Sequence, residues 1–251
     1  MQIVKAPVRE KIKQWLKKFY LDGAAIELAR ASRLILNRSP RWLGRVDHRI
    51  IKKYFSTHDI RKLHIGCGGH ILDGWLNTDI YPKTSQVFHL DATLRFPFGD
   101  GKFDYIFSEH MIEHIPYLRG VEMLRECCRV LKKEGKIRIS TPDLAYLISL
   151  CKEEKSDKQM EYVKWQADVF AKPAPCSDKV FVINNFMREW GHQFIYDEET
   201  LSAVLKEAGF KNVTRRELNQ SESDALRFLE NEKREPEGFL MMESLILEGT
   251  K

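Results

Sequence analysis

The 251-residue chain is 43% hydrophobic and 31% charged, a balance that suits one medium α/β domain with an extension and excludes a disordered or fibrous protein. No apolar run approaches the roughly 20 residues that span a bilayer, and the start MQIVKAPVREKIKQ meets charge too early for a signal peptide. The formal charge of +5 is uneven: residues 1–62 hold 16 Lys/Arg against five Asp/Glu, an excess of +11, which leaves −6 for the remainder. A uniformly basic nucleic-acid-binding face is therefore not indicated for the later part.

In chain order, Val8, Ile12, Trp15, Leu16 and Phe19 recur at helical spacing, with Lys11, Lys13, Lys17 and Lys18 elsewhere on the wheel. This predicts a basic amphipathic helix over 8–20. Asp22 can cap a second helix over 24–36, ended by Asn37-Arg38-Ser39-Pro40, and a third is expected over 47–55. Residues 1–60 thus read as a basic helical extension. It fits either a cap that packs Ile12, Trp15, Leu16 and Phe19 on the rest of the chain, or peripheral contact with anionic lipid or a lipid-linked glycan. No RNA-binding module is recognisable, so no specific nucleic-acid partner is expected.

At residue 61 the pattern changes. Residues 62–65 read as a buried strand that ends in Gly66-Cys67-Gly68-Gly69. Further strands are expected over 75–80, 86–90, 103–107, 136–140, 211–216 and 239–247, with helices over 121–131, 144–151 and 198–207. Alternation of strand and helix implies an α/β fold, a mainly parallel sheet covered on both faces. The five cysteines, Cys67, Cys127, Cys128, Cys151 and Cys176, form no C-x-x-C pair, so a reducing cytoplasm is the expected setting.

The glycine cluster lets backbone amides approach a ligand without Cβ interference, although a plain tight turn would also use it. Thirteen residues after Gly66, Asp79 closes Trp75-Leu76-Asn77-Thr78-Asp79 at a strand end, where a carboxylate can accept both hydrogen bonds of a ribose diol; an acid capping the next turn is the plainer alternative. Then come Asp91-Ala92, Phe96-Pro97-Phe98, Phe103-Asp104 and Glu113-His114, followed by the stretch 129–142 and the helix exit at 201–210.

This ordered set resembles the class I methyltransferases that use S-adenosylmethionine (SAM) and release S-adenosylhomocysteine (SAH), and the resemblance runs over residues 61–248. It implies a Rossmann-like, seven-stranded sheet with the last strand antiparallel. It also implies that Gly66, Cys67 and Gly68 lie against the methionine part of SAM, that Asp79 holds the ribose, that Asp91 with Ala92 reads the adenine, and that Ser108 sits on the methionine side. Two departures stand out. His64 takes the place of an acid that helps hold the methionine amino group, and His70 that of a third glycine; the amino group must then be recognised from elsewhere. The gap from Gly66 to Asp79 also leaves little room for a first crossover helix. Within the class, Leu63-x-x-Gly66-Cys67-Gly68 followed by Gly74-Trp75-x-Asn77-x-Asp79 is similar to a bacterial branch linked to polysaccharide and glycoconjugate biosynthesis.

SAM already carries an activated methyl, so the protein must place the acceptor and, for a hydroxyl, take its proton. His110, after the fourth strand, and His192 are the candidate bases; a helix-start histidine bonded to backbone is the plain alternative for His110. A lid-like insertion is expected around 152–196, in which Trp190, Phe194 and Tyr196 could stack on a sugar or aromatic acceptor and Arg188 could pair with an acidic group, or in which the aromatics simply pack the insertion onto the sheet. O-methylation of a small molecule or glycan hydroxyl leads over N-methylation, and RNA or protein methylation follows. A catalytically silent SAM-binding partner protein is a rival of another class. So is a zinc hydrolase, because His110-Met111-Ile112-Glu113-His114 matches H-x-x-E-H, whose histidines would share a helix face. That site would lack a third protein ligand, and no metal is expected.

Overall fold

The computed structural model describes Ser32, residues 45–171 and residues 175–251. The chain divides into two compact units, Met1–Arg49 and Ile50–Lys251. The helices expected over 8–20 and 24–36 lie outside the described residues. Helix α1 (Arg45–Thr57) leads into the second unit, which carries the sheet.

Seven strands form that sheet: β1 (Lys62–Ile65), β2 (Leu76–Asp79), β3 (Phe88–His89), β4 (Phe103–Glu109), β5 (Leu131–Pro142), β6 (Lys211–Arg215) and β7 (Ser244–Thr250), in the order β3-β2-β1-β4-β5-β7-β6. The pairings β1–β2, β2–β3, β1–β4 and β4–β5 are parallel, and β7 runs antiparallel to both β5 and β6. This is the Rossmann-like, seven-stranded architecture expected from the motifs. The loop from β1 to β2 contains no helix, as the short spacing from Gly66 to Asp79 requires, and neither do those from β2 to β3 and β3 to β4.

Alternation along each strand separates two faces. Leu63, Ile65, Leu76, Ile106, Ile137, Ile139, Leu245 and Leu247 point to the main apolar core. Helix α2 (Tyr117–Val130) covers them with Gly120, Val121, Met123, Leu124, Cys127 and Val130 at helical spacing, and α6 (Glu198–Glu207), capped by Asp197 on the Thr200 amide, adds Leu201, Val204 and Leu205. The opposite face carries polar residues. His64 Nδ1 meets Asn77 Oδ1 at 3.0 Å across β1 and β2. Arg138 of β5 is fully buried; it pairs with Glu230 at 2.6 Å and Glu248 at 2.7 Å and donates to the Gln220 and Glu217 carbonyls. A buried guanidinium satisfied on several sides fixes what it touches, so Arg138 ties the segment after β6 to the sheet.

A second apolar cluster joins α3 (Leu144–Ser149), α4 (Asp157–Phe170), α5 (Lys179–Arg188) and α7 (Phe239–Glu243) through Leu147, Leu150, Tyr162, Val163, Val182, Phe186 and Phe239. Ser156 and Gln159 form a reciprocal capping box at the start of α4. Here one expected boundary is corrected: the segment 239–247 starts as a helical turn and becomes a strand at Ser244. Gly238, at φ 82°, turns the chain, and Phe239 is drawn into the second cluster against Tyr162 and Trp165.

Candidate active site

Two clefts open at the carboxyl ends of the central strands, where ligands bind in open parallel sheets. The first, about 430 Å³, is lined by His64, Gly66–Gly69, His70, Glu109, His110, Asn231 and Arg234. Gly66 has φ 72°, and a Cβ there would lie 2.2 Å from Met111 Cγ; Gly68 has φ 54°, and a Cβ there would meet no protein atom within 4 Å. The turn is thus closed behind and open in front, a backbone cradle for a ligand. Asp79 fastens it: Oδ2 accepts from the Gly68 amide at 2.8 Å and Oδ1 from the Tyr81 amide at 2.6 Å. Each oxygen keeps a lone pair for a further donor.

The remaining cofactor candidates are more dispersed. Asp91 Oδ1 accepts from the Thr93 amide and hydroxyl at 3.1 and 2.6 Å, and Ala92 is buried in the main core. Ser108 is buried in β4, its Oγ without a hydrogen-bond partner among the described residues. Burial lifts the Cys67 thiol to about 12, so it contributes backbone, not thiolate chemistry. Burial also pushes His64 down to about 4, which leaves a neutral ring where the class has an acid. A carboxylate stands nearby on another strand: Glu109 Oε2 lies 3.3 Å from His70 Nδ1, and Oε1 accepts from the Asn231 amide at 2.9 Å. Desolvation raises its pKa.

The second cleft, about 240 Å³, is lined by His110, Glu113, His114, Gln166, Phe170, Phe186, Trp190, His192, Arg234, Glu235 and Glu243. Both candidate bases meet here, and their surroundings differ. His110 sits on left-handed backbone at φ 44°; its Nδ1 accepts from Arg234 Nη2 at 2.9 Å and its Nε2 contacts Ser244 Oγ at 3.0 Å. Burial and then the Arg234 charge hold it well below the usual histidine range. His192 donates through Nδ1 to the Phe186 carbonyl at 2.7 Å, so its Nε2 keeps a lone pair. Burial lowers its pKa too, which keeps that lone pair unprotonated near neutrality.

The pentapeptide 110–114 does not form the α-helix assumed for a zinc hydrolase. Ile112–His114 is a single 3-10 turn, and His110 is engaged by Arg234 and Ser244. Instead, the Glu113 carbonyl accepts from the Gln193 and Phe194 amides at 2.7 and 3.2 Å, which brings His192 beside His114, their ring centroids 4.7 Å apart. Of the expected stacking residues, Trp190 lines the cleft. Tyr196 is fully buried in the main core against Gly120, and Phe194 packs on Tyr117, because the stretch after His192 is drawn over α2.

Sequence reasoning missed Glu109, Arg234 and Glu243. Glu109 was legible in principle, since strand alternation puts it on the face of His64 and Asn77. Arg234 and Glu243 lie over 120 positions away from His110 and gave no local signal. Glu243 is buried with its pKa raised by desolvation and accepts a hydrogen bond from Tyr162.

A search of curated proteins found no match. Among solved structures, the chain is similar to a SAM-dependent methyltransferase from Archaeoglobus fulgidus, with 19% identity over 86% of this chain and 99% of that one at TM-score 0.48. It is also similar to a SAM-dependent methyltransferase from Thermotoga maritima, with 18% identity over 87% and 97% at TM-score 0.43. Phosphoethanolamine N-methyltransferase 2 of Haemonchus contortus, solved with SAM, shares 17% identity over 82% of this chain and 52% of that one at TM-score 0.39. A family model described as a methyltransferase domain matches residues 14–215, well over half of the chain. The chain therefore belongs to the methyltransferase domain family, the SAM-dependent enzymes that its ordered motifs resemble.

Proposed function

We propose that this enzyme transfers the methyl group of SAM to a hydroxyl of a small molecule or glycan and releases SAH. The carrying observation is that His110 and Arg234 line both clefts: donor and acceptor would meet across one wall. The donor supplies an activated methyl on sulfonium, so the protein has to position, exclude water and dispose of a proton. In this reading Gly66, Cys67 and Gly68 cradle the methionine part by backbone, with Ser108 on the same side. Glu109 replaces the missing acid of position 64 at the amino group, Asp79 holds the ribose, and Asp91 with Ala92 frames the adenine.

On the acceptor side, His192 offers the Nε2 lone pair to the reacting hydroxyl, while His110, with both ring nitrogens engaged, positions the wall. Trp190, Phe170 and Phe186 form an edge-to-face group at the cleft, suited to the apolar face of a sugar or an aromatic ring. Helices α4 and α5 with the Trp190–His192 bend act as a lid over this acceptor. The basic excess of residues 1–62 suits an anionic lipid surface, which would hold a cytoplasmic enzyme at the inner membrane face near a lipid-linked glycan. No helix among the described residues is long and apolar enough to cross a membrane.

The test is calorimetric titration of SAM and SAH into the full chain and into Asp79→Ala and Asp91→Ala. Stoichiometric binding is expected, weakened about 10- to 100-fold by each substitution, the equivalent of about 1.5–3 kcal/mol for hydrogen bonds to a charged group. Absence of binding to the intact chain would overturn the reading. With binding in hand, methyl incorporation into hydroxyl-bearing glycans against RNA, protein and amine acceptors decides the substrate class.

A further inference from the structure

The geometry points to a divalent transition-metal site formed by Glu113, His114 and His192 in the acceptor cleft. One potential ligand atom from each lies within 4.8 Å of the others. Glu113 is fully buried; its Oε2 accepts from Thr141 Oγ1 at 3.1 Å, whereas its Oε1 has no hydrogen-bond partner among the described residues and lies 3.5 Å from His110 Nδ1, itself taken by Arg234, and 3.9 Å from His114 Nε2. A buried carboxylate oxygen without a donor is costly, and a cation would satisfy it. Ligands of a tetrahedral zinc ion at 2.0–2.1 Å sit about 3.3 Å from each other, so closure asks for side-chain shifts of about an ångström.

The shell around the three residues is built for this. The His114 ring packs edge-to-face on that of His192, centroids 4.7 Å apart, and His192 spends Nδ1 on the Phe186 carbonyl. Metal-bound histidines are oriented in this way by the second ring nitrogen. Trp190 and Gly191 both have positive φ, 54° and 84°. That backbone is uncommon for tryptophan, and it sets His192 against the 3-10 turn that carries Glu113 and His114. Two imidazoles with one carboxylate favour zinc, iron, cobalt or nickel over magnesium or calcium, and three protein ligands leave room for an outside oxygen.

This deepens the methyl-transfer reading and rests on it, giving the His192 lone pair a cation in place of a proton. The acceptor's hydroxyl oxygen would take an open coordination position, and its proton would pass to water. The alkoxide pair would then attack the sulfonium methyl carbon, and the C–S pair would return to sulfur, yielding a methyl ether and SAH. The preferred acceptor is therefore an alcohol or diol able to bind a metal.

The experiment is titration of Co²⁺ into tag-free, EDTA-stripped full-length protein, followed by visible absorption and calorimetry, with Mg²⁺ alongside and SAM affinity measured on every sample. One equivalent of Co²⁺ with ligand-field bands is expected, with weak or no response to Mg²⁺. His114→Ala, His192→Ala and Glu113→Gln should each weaken Co²⁺ at least tenfold and leave SAM affinity within about twofold. SAM binding without stoichiometric Co²⁺ binding would overturn the metal site and leave the methyltransferase reading standing. Co²⁺ binding that survives both histidine substitutions would overturn it as well. His192→Ala lies outside the buried core and keeps the test informative if Glu113→Gln fails to fold. Loss of SAM binding by the intact chain would instead strike the reading beneath.

Discussion

The two clefts share a wall but are assembled in different ways. The cleft proposed for the donor is built chiefly from the ends of β1, β2 and β4, neighbours in the sheet, with Asp79 closing the glycine turn through two backbone amides. The cleft proposed for the acceptor draws on the turn at 112–114, helices α4 and α5, the Trp190–His192 bend and the segment 234–243. Backbone amides and strand ends do the work in the first, and long-range side-chain contacts do it in the second. Donor binding should accordingly be robust to changes in the lid, while the acceptor side should be sensitive to the segments that converge on it.

The largest effect is expected where the two sides depend on one residue. Arg138→Leu leaves the buried Glu230 without its cation, while Glu248 keeps Arg216 and Ser221, and should cost about 3–5 kcal/mol of stability in urea unfolding. Because Arg138 anchors the segment leading to Arg234, SAM binding should weaken too; a variant with unchanged stability would show that the segment holds itself.

A pH effect should be readable at His64, beside the glycine turn. His64 is held at about 4 by burial, below its unfolded value of about 6.5. Between these values the unfolded chain binds the extra proton, so stability should fall as pH drops from about 6.5 to 4, by about 3 kcal/mol from this group. Unfolding free energies of wild type and His64→Gln across that range should converge on the acid side, since other buried histidines act alike in both; parallel curves would refute the assignment.

Gly66→Ala places a Cβ 2.2 Å from Met111 Cγ and should cost about 1–3 kcal/mol as overpacking, with SAM affinity falling in calorimetry. The smallest change sharpens the contrast. Gly191→Ala, at φ 84°, should cost about 1–2 kcal/mol; it should disturb His192 and lower methyl transfer while leaving SAM affinity within about twofold. A fall in SAM affinity equal to that of Gly66→Ala would mean that the clefts are not separable.

The sequence by itself determined the sheet and the glycine turn, because their determinants are local. Short apolar stretches bounded by turn residues set the strands, the glycine turn followed β1 directly, and the tight spacing from Gly66 to Asp79 left no crossover helix. Phe96, Phe98 and Phe103 of the motif run are core residues, while Asp104 accepts from the Arg61 amide and Lys132; much of the resemblance was therefore the imprint of packing. Tertiary structure alone decided the acceptor side. H-x-x-E-H reads as a helix by spacing, yet Met111 packs behind Gly66, Arg234 holds His110, and the chain makes a 3-10 turn whose Glu113 carbonyl receives the Gln193 and Phe194 amides. Likewise Tyr196, which by composition belonged to the lid, went to the core, and Phe239 became helical to fill the second cluster. These outcomes were set by burial and hydrogen bonding between segments about 45 to 125 residues apart, for which a linear pattern carries no periodic signal.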